Sequence, residues 1–319
     1  MRETSLEEIY KLAKKDKRVI FIGSDLGVGT LNKFKEEMPE RFFMEGISEG
    51  YLIGMASGLA LEGKVVYVNT ISTFITRRCY EQLVVDVCLH NLNVRMIGNG
   101  GGMVYAPLGP THMAIEDLSI MRAIPNMTIV APADADEMRR LIPQTLDHPG
   151  PIYIRLAKGS DPIVTRDSIP FRIGKALLMR EGRDVLLVTT GITLKIALDA
   201  ADQLGAQGIE AAVLHVPTVK PLDVEQLLDR ISSVRAVVSV EENSIIGGLG
   251  SAVAEIIAEA GLEPAKKFKR LGIPDVFPDK YGSQNALMDH YKISTREIIF
   301  SVTGLLNAPS RSATKSKIA

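Results

Sequence analysis

Short apolar segments alternate with longer amphipathic segments through the first half of the chain. The apolar segments predict strands over Arg18–Gly23, Lys64–Val68, Val94–Ile97, Met127–Val130 and Pro151–Leu156. Helices are predicted between them over Ser48–Leu61, Thr73–His90, Met113–Ala123 and Asp134–Leu146. Nearly continuous apolar strands that alternate with helices are typical of a parallel sheet covered by helices on both faces.

The same alternation restarts after Ala157–Arg172, a segment of mixed charge with two prolines that predicts a linker. Strands are predicted over Asp184–Val188, Ala211–Val216, Ala236–Val240 and Phe268–Leu271, and helices over Thr193–Leu204, Val224–Arg230, Gly247–Ala260 and Thr295–Leu305. We therefore expect two doubly wound, mainly parallel α/β domains, residues 1–160 and 173–306. Residues 307–319 are small, polar and basic, which predicts a disordered tail.

Composition narrows the class of protein without naming a function. The chain has 319 residues and is 46% hydrophobic, which is enough for two cores. Its 37 basic and 38 acidic residues leave a net charge of −1, so nucleic-acid binding is not expected. Cys79 and Cys88 have no metal-ligand spacing, which argues against a disulfide scaffold or a zinc module. Without a long apolar run or a signal-peptide core, we expect a cytoplasmic protein with no membrane partner.

Glu49 is the first candidate for chemistry. It lies in the glycine-rich apolar segment Gly46–Gly54, at the start of a predicted helix. A carboxylate there can simply complement the helix dipole. It can also be a partly buried acid that exchanges a proton with a ring nitrogen. On this residue alone, the first interpretation is favoured.

Two further segments carry candidate residues. In Ser72–Gln82, a helix would bring Phe74, Arg77 and Tyr80 close to one face, which suits a flat heteroaromatic ligand or an ordinary core. His112 follows a glycine-rich loop and either caps a helix or moves a proton. No phosphate-binding motif follows the first strand, and Gly247–Gly250 is more simply explained as a tight turn before a helix.

Taken in order, these segments resemble the C-terminal half of transketolase, namely its pyrimidine-binding domain followed by its C-terminal domain. The resemblance covers about residues 1–306. The matching pieces are Ser24–Leu26, Gly46–Gly50, Ser72–Gln82, Gly109–His112, Val240–Asn243 and Gly247–Gly250. Ser72–Gln82 is also similar to deoxyxylulose-phosphate synthase, a relative with the same cofactor.

The resemblance implies thiamine diphosphate as cofactor and transfer of a two-carbon ketol unit between sugars. Glu49 matches the glutamate that exchanges a proton with the aminopyrimidine ring, and Phe74 matches the phenylalanine that packs on this ring. Tyr80 matches a nearby aromatic residue, and Arg77 stands where transketolase often has Phe and the synthase has Arg. Further matches are His112 with a histidine that contacts substrate oxygens and Asp25 with an interface acid near the cofactor.

The family's metal and diphosphate motif has no counterpart in this sequence. We therefore expect Mg²⁺ (or Ca²⁺) to be held by a separate N-terminal transketolase subunit, with which this chain forms an α₂β₂ heterotetramer. Activity would require that partner. The small-residue stripe Gly50, Gly54 and Gly58 suits close packing at such an interface or in a core.

The substrate end departs from the family pattern. Leu108 replaces an aspartate that touches a sugar hydroxyl. At three positions where the family's side chains contact the substrate phosphate, this chain has Gly29, Gly100 and Lys158 instead of the family's residues. Arg2 matches a further arginine of the family that makes such a contact. The resemblance therefore leaves open whether the sugars are phosphorylated, carry another anion, or are branched.

The function expected is that of the C-terminal subunit of a split transketolase, a transferase of carbohydrate metabolism. One alternative is the β subunit of a 2-oxo acid dehydrogenase or an enzyme like deoxyxylulose-phosphate synthase. An alternative of another class is a non-catalytic α/β module that only binds a partner.

Overall fold

The computed structural model describes residues 1–24, 29, 31–157, 159, 161–166 and 169–307. The helices are α1 (Arg2–Lys15), α2 (Asn32–Glu37), α3 (Glu49–Leu61), α4 (Tyr80–Gln82), α5 (Asp117–Arg122), α6 (Ala135–Thr145), α7 (Thr193–Gly205), α8 (Val224–Ser232), α9 (Leu249–Glu259), α10 (Gln284–His290) and α11 (Thr295–Asn307). The strands are β1 (Val19–Gly23), β2 (Phe42–Met44), β3 (Val65–Ile71), β4 (Val94–Asn99), β5 (Thr128–Val130), β6 (Ile152–Leu156), β7 (Leu177–Arg180), β8 (Val185–Thr189), β9 (Ala211–His215), β10 (Thr218–Lys220), β11 (Ala236–Ser244) and β12 (Lys267–Ile273).

Two sheets organise these elements. The first has the order β10-β5-β6-β4-β3-β1-β2, and the second has the order β12-β11-β8-β9-β7. All neighbouring strands pair in parallel except β10 with β5 and β7 with β9. Apolar side chains from each sheet form a core on both of its faces. The predicted fold class, two mainly parallel α/β sheets, is thus confirmed.

The second half of the chain completes the first sheet. β10 adds an antiparallel edge strand beside β5, although it follows β9 of the second sheet in sequence. The core of the second sheet in turn contains Met103 and Met113 together with Leu287. The domain limits 1–160 and 173–306 stay predictions. Of the predicted tail, Asn307 belongs to α11, and residues 308–319 lie outside the described residues.

Two predicted helices near the site differ from the structure: one is irregular, and the other is shorter than predicted. The segment predicted as one helix over Thr73–His90 contains two π-helical stretches, Phe74–Arg78 and Leu83–Cys88, on either side of α4. The helix predicted over Met113–Ala123 was wrong at its start, because α5 begins only at Asp117. Gly102 and Ala114 exchange two backbone hydrogen bonds of 2.9 Å, which hold the segment before α5 extended.

Candidate active site

Three predicted site residues meet at the carboxyl ends of neighbouring parallel strands. Glu49 is the first residue of α3, just after β2, and Phe74 follows β3. His112 lies in the loop after β4. Because β4, β3, β1 and β2 are adjacent and parallel, the segments that follow them emerge at one edge of the sheet. This edge is where open α/β sheets bind ligands.

Glu49 is a buried carboxylate with a charged partner. It is 2% exposed, and its Oε2 accepts a hydrogen bond of 2.5 Å from Nη1 of Arg78. The Cys79 thiol donates to the carbonyl of Phe74 at 3.3 Å. Burial, assisted by the negative charge of Glu49, raises the pKa of Cys79 to about 12. Cys79 is therefore a neutral thiol and not a nucleophile at neutral pH.

The ring of Phe74 contacts the guanidinium of Arg78 and the imidazole of His112. The guanidinium carbon of Arg78 lies 4.5 Å from the ring centroid of Phe74. The ring of His112 meets Phe74 edge-on, with centroids 5.2 Å apart and an interplanar angle of 69°. Nδ1 of His112 is 2.8 Å from Oγ1 of Thr111, which fixes the orientation of the imidazole. The cluster thus combines a buried acid, an aromatic face and a half-buried histidine.

Arg77 supports the loop that carries His112. It forms an ion pair with Glu116 and donates to the carbonyl of Met113 at 2.8 Å. The expected arrangement of Phe74, Arg77 and Tyr80 on one helical face is therefore not found: Arg78, and not Arg77, lies over the ring. The wider π-helical turn accounts for the difference, because its hydrogen bonds join residues five apart.

A buried ion pair between Arg155 of β6 and Asp117 of α5 also holds the loop that carries His112. Nε of Arg155 donates to Oδ2 of Asp117 at 2.9 Å, and Tyr153 donates to the same oxygen at 2.7 Å. Arg155 also donates to the carbonyls of Ala114 and Glu242, at 3.1 and 2.7 Å. Burial raises the pKa of Asp117, while the charge of Arg155 opposes this effect. The network joins β6, the start of α5 and β11 in one water-excluded cluster.

Glu242 extends this network across the two sheets. Its carboxylate accepts hydrogen bonds from the backbone N–H of Met103 at 2.7 Å and from Gln284 at 2.9 Å. Burial raises the pKa of Glu242 to about 7. The acid therefore ties the glycine-rich loop after β4 to the second half of the chain.

Family comparison assigns the fold. The transketolase pyrimidine-binding domain matches residues 1–162, and the transketolase C-terminal domain matches residues 174–298. The chain belongs to the transketolase family. The predicted identity, the C-terminal half of transketolase and a transferase, is confirmed.

Its relatives include separate transketolase subunits. It is 39% identical over 300 residues to a 6-deoxy-6-sulfo-D-fructose transketolase subunit from Clostridium sp. (strain MSTE9), covering 94% of this chain and 92% of that one. It is also 39% identical over 266 residues to an apulose-4-phosphate transketolase subunit from Actinobacillus succinogenes (strain ATCC 55618 / DSM 22257 / CCUG 43843 / 130Z), covering 83% and 85%. A solved structure of a split-gene transketolase, an inactive β4 tetramer, is 35% identical and superimposes with a TM-score of 0.86. The match covers 96% of this chain and 97% of that one.

The remaining predicted residues lie apart from the cluster or outside the described chain. Tyr80 packs against the apolar core, and its hydroxyl donates to the carbonyl of Ile120 at 3.3 Å. Arg2 lines a separate cleft with Gly159 and Asp161. Asp25 and Lys158 lie outside the described residues.

Sequence reasoning missed three charged residues of the site. Arg78 was missed although the sequence carried a usable signal, because a regular helix brings the residues three and four positions after Phe74, Arg77 and Arg78, beside it. Arg155 carried a usable signal, because a charge inside the apolar strand Ile152–Leu156 must be paired to remain buried. Asp117, its partner, gave no comparable signal in the sequence.

Proposed function

We propose that this chain supplies the pyrimidine half of a thiamine diphosphate site in a two-subunit transketolase that moves a two-carbon ketol unit between sugars. One observation carries the proposal: the Arg78 guanidinium contacts both the buried carboxylate of Glu49 and the ring of Phe74, so the acid and the aromatic face lie within the span of one side chain at the ligand-binding edge of the sheet. Membership of the transketolase family supports the reaction class.

The residues fit the pyrimidine end of this cofactor. A flat, nitrogen-containing ring needs an aromatic face to pack against and a carboxyl group that shares a proton with a ring nitrogen. Phe74 offers the first and Glu49 the second. When bound, thiamine diphosphate supplies an electron sink for cleaving and forming the bond to the transferred unit. Asp25 remains a predicted contact to the cofactor.

His112 acts on the substrate in this proposal. Its imidazole is oriented by Thr111 and Phe74, and the loop that carries it is held by Arg77. A neutral imidazole donates at one ring nitrogen and accepts at the other, so His112 can bind a sugar hydroxyl and pass a proton to or from it.

A second polypeptide completes the site in this proposal. Among the residues described, no three His, Cys, Asp or Glu side chains converge as metal ligands. We assign Mg²⁺ (or Ca²⁺) and the diphosphate group to an N-terminal transketolase subunit in an α₂β₂ assembly. Gly50, Gly54 and Gly58 support this assignment, because a Cβ added at any of them would meet no atom within 4 Å. Their helix face therefore has room for a closely packed partner.

The substrate we propose is a ketose that differs from the common sugar phosphates. Leu108 is 53% exposed and cannot bind a hydroxyl as the family aspartate does. Gly100, where the family has histidine, lies against Tyr105, and a Cβ there would overlap the ring. The Clostridium and Actinobacillus relatives are named for 6-deoxy-6-sulfo-D-fructose and for apulose 4-phosphate. Arg2 and Lys158 stay the predicted contacts to a terminal anion; for Arg2 this requires that the anion reach the cleft that Arg2 lines with Gly159 and Asp161.

No helix in the described part of the chain is long and apolar enough to cross a membrane. Cys79 and Cys88 are both buried free thiols. These observations support our proposal that the enzyme works in the cytoplasm, where thiols stay reduced.

Reconstitution tests the proposed function. The tagged chain is purified with its companion subunit, and the complex is supplied with thiamine diphosphate, Mg²⁺, an aldose acceptor and, as donor, either xylulose 5-phosphate or 6-deoxy-6-sulfofructose. We expect release of the shortened aldose only when both subunits are present. Decarboxylation of pyruvate without ketol transfer would instead support a 2-oxo acid dehydrogenase or a synthase. Sub-micromolar cofactor binding by the isolated chain would contradict the shared site.

A further inference from the structure

Arg78 engages both groups that the proposed pyrimidine site depends on. Its Nη1 donates to Glu49 Oε2 at 2.5 Å, while its guanidinium carbon lies 4.5 Å from the Phe74 ring centroid. In the part of the chain that the structure describes, Arg78 is the only hydrogen-bond partner of the Glu49 carboxylate. A single side chain thus contacts the acid and the aromatic face together.

The guanidinium and a protonated aminopyrimidine ring share their recognition chemistry. Both are flat cations, both donate N–H hydrogen bonds within their plane, and both stack on an aromatic ring. The contacts that Arg78 makes are therefore of the kind that the cofactor ring would make, to the same two residues. This step rests on the proposed function, which places that ring at Glu49 and Phe74.

We infer that Arg78 is a displaceable substitute for the cofactor ring. In the subunit without cofactor, it neutralises the buried carboxylate of Glu49 and covers the face of Phe74. Its side chain is 49% exposed, so it can turn into solvent without a change in the backbone. A guanidinium stays protonated at neutral pH and only donates, so Glu49 exchanges no proton with it. Arg78 thereby keeps the acid stable and inactive until the ring replaces it.

Cofactor binding by the assembled complex tests this exchange without relying on turnover. Thiamine diphosphate is titrated into the complex by calorimetry, with Mg²⁺ present, for the wild type and for Arg78→Met. If the inward position of Arg78 is populated at about 70–90%, its removal lowers the apparent Kd by about threefold to tenfold. Weaker binding by Arg78→Met in an intact complex would overturn the inference, because Arg78 would then help to hold the cofactor.

Arg139 provides a matched control. It forms an ion pair of the same length, 2.5 Å, with Asp136, and its side chain is 54% exposed. Arg139→Met removes the same charge away from the site and should leave the Kd within twofold of the wild type. Arg78→Gln serves as a second variant if Arg78→Met does not fold, and it should also tighten binding.

The isolated chain gives an independent measurement. Arg78→Met should lower its melting temperature, because Glu49 is left buried without a partner. The same substitution should have a much smaller effect in a Glu49→Gln background. Equal melting-temperature shifts in the two backgrounds would overturn the inference. If the wild-type complex binds no thiamine diphosphate at all, the proposed function fails instead, so the two failures are distinguishable.

Discussion

Replacing Arg155 by Met should be among the most destabilising single substitutions in the first sheet. The ion pair with Asp117 is almost fully buried, with side-chain exposures of 7% and 0%. Its loss leaves the Asp117 carboxyl group buried without a cationic partner, while the Tyr153 hydroxyl still donates to it. Breaking a buried pair in this way costs about 3–5 kcal/mol. The carbonyls of Ala114 and Glu242 lose their donor as well.

A neighbouring strand offers the control. Arg95 is also buried, but among the residues that the structure describes its guanidinium donates to backbone carbonyls alone, those of Thr145, His148 and Gly150. Arg95→Met therefore leaves no unpaired carboxylate. In an Asp117→Asn background, the cost of Arg155→Met should fall by about 2 kcal/mol or more, whereas the cost of Arg95→Met should not change. Urea midpoints of the four Arg155 and Asp117 combinations measure this coupling directly.

The pH dependence gives a second test of the same reasoning. Burial already raises the pKa of Asp117, and without Arg155 the folded protein should bind a proton there still more tightly. A raised folded-state pKa gives stability that is present at low pH and lost as the pH rises. The defect of Arg155→Met should therefore shrink as the pH is lowered. A cost below about 1 kcal/mol at pH 7, or one that grows towards acid pH, would refute the argument.

Three further predictions concern other parts of the chain. Burial raises the pKa of Glu242 from 4.5 to about 7, so its contribution to the stability of the fold is complete below about pH 4.5 and is lost as the pH passes 7. The loss in the free energy of unfolding is worth roughly 3 kcal/mol. Glu242→Gln should reduce this loss in melting curves recorded from about pH 5 to 8. Gly54→Ala should stabilise the isolated chain by up to about 1 kcal/mol, because alanine favours the helix and its Cβ meets no other atom. Gly54→Leu should weaken assembly with the partner subunit in sedimentation experiments. Unchanged assembly of the Leu variant would argue against an interface at this face. Gly100→Ala should lower the free energy of unfolding in urea by at least about 1–2 kcal/mol, because the residue has a φ of +71° and a Cβ there would overlap the ring of Tyr105. No change in stability would show that the loop relaxes freely.

The regular elements were predictable where the apolar pattern was continuous. Buried strands such as β3 and β8 were located within a few residues, because a parallel strand covered on both faces has to be apolar throughout. Helix α1 was missed although Leu6, Ile9 and Leu12 recur at helical spacing, because the many charges of its polar face dominate the segment. The short strands β2 and β10 were missed because three residues carry too little periodicity to be recognised.

The site was predictable as a set of segments but not as a geometry. Glu49, Phe74 and His112 were selected from their sequence context, and they lie at the same edge of the sheet. Arg78 lies beside Phe74 as a helical spacing of four allows. That Arg77 turns away to Glu116 was not predictable, since it depends on a π-helical turn that leaves no regular pattern in the sequence. The pairing of Arg155 with Asp117 joins residues 38 positions apart and required the folded chain.

The account depends most on the proton exchanged by Glu49, and turnover of the Glu49→Gln variant in the reconstituted complex tests it most directly. Gln keeps the size and hydrogen-bonding reach of the side chain but cannot release or take up a proton at neutral pH. We expect ketol transfer to fall by about 10²-fold or more, with the two subunits still assembled. A fall of less than tenfold, which corresponds to about 1.4 kcal/mol, would contradict the role assigned to this carboxylate.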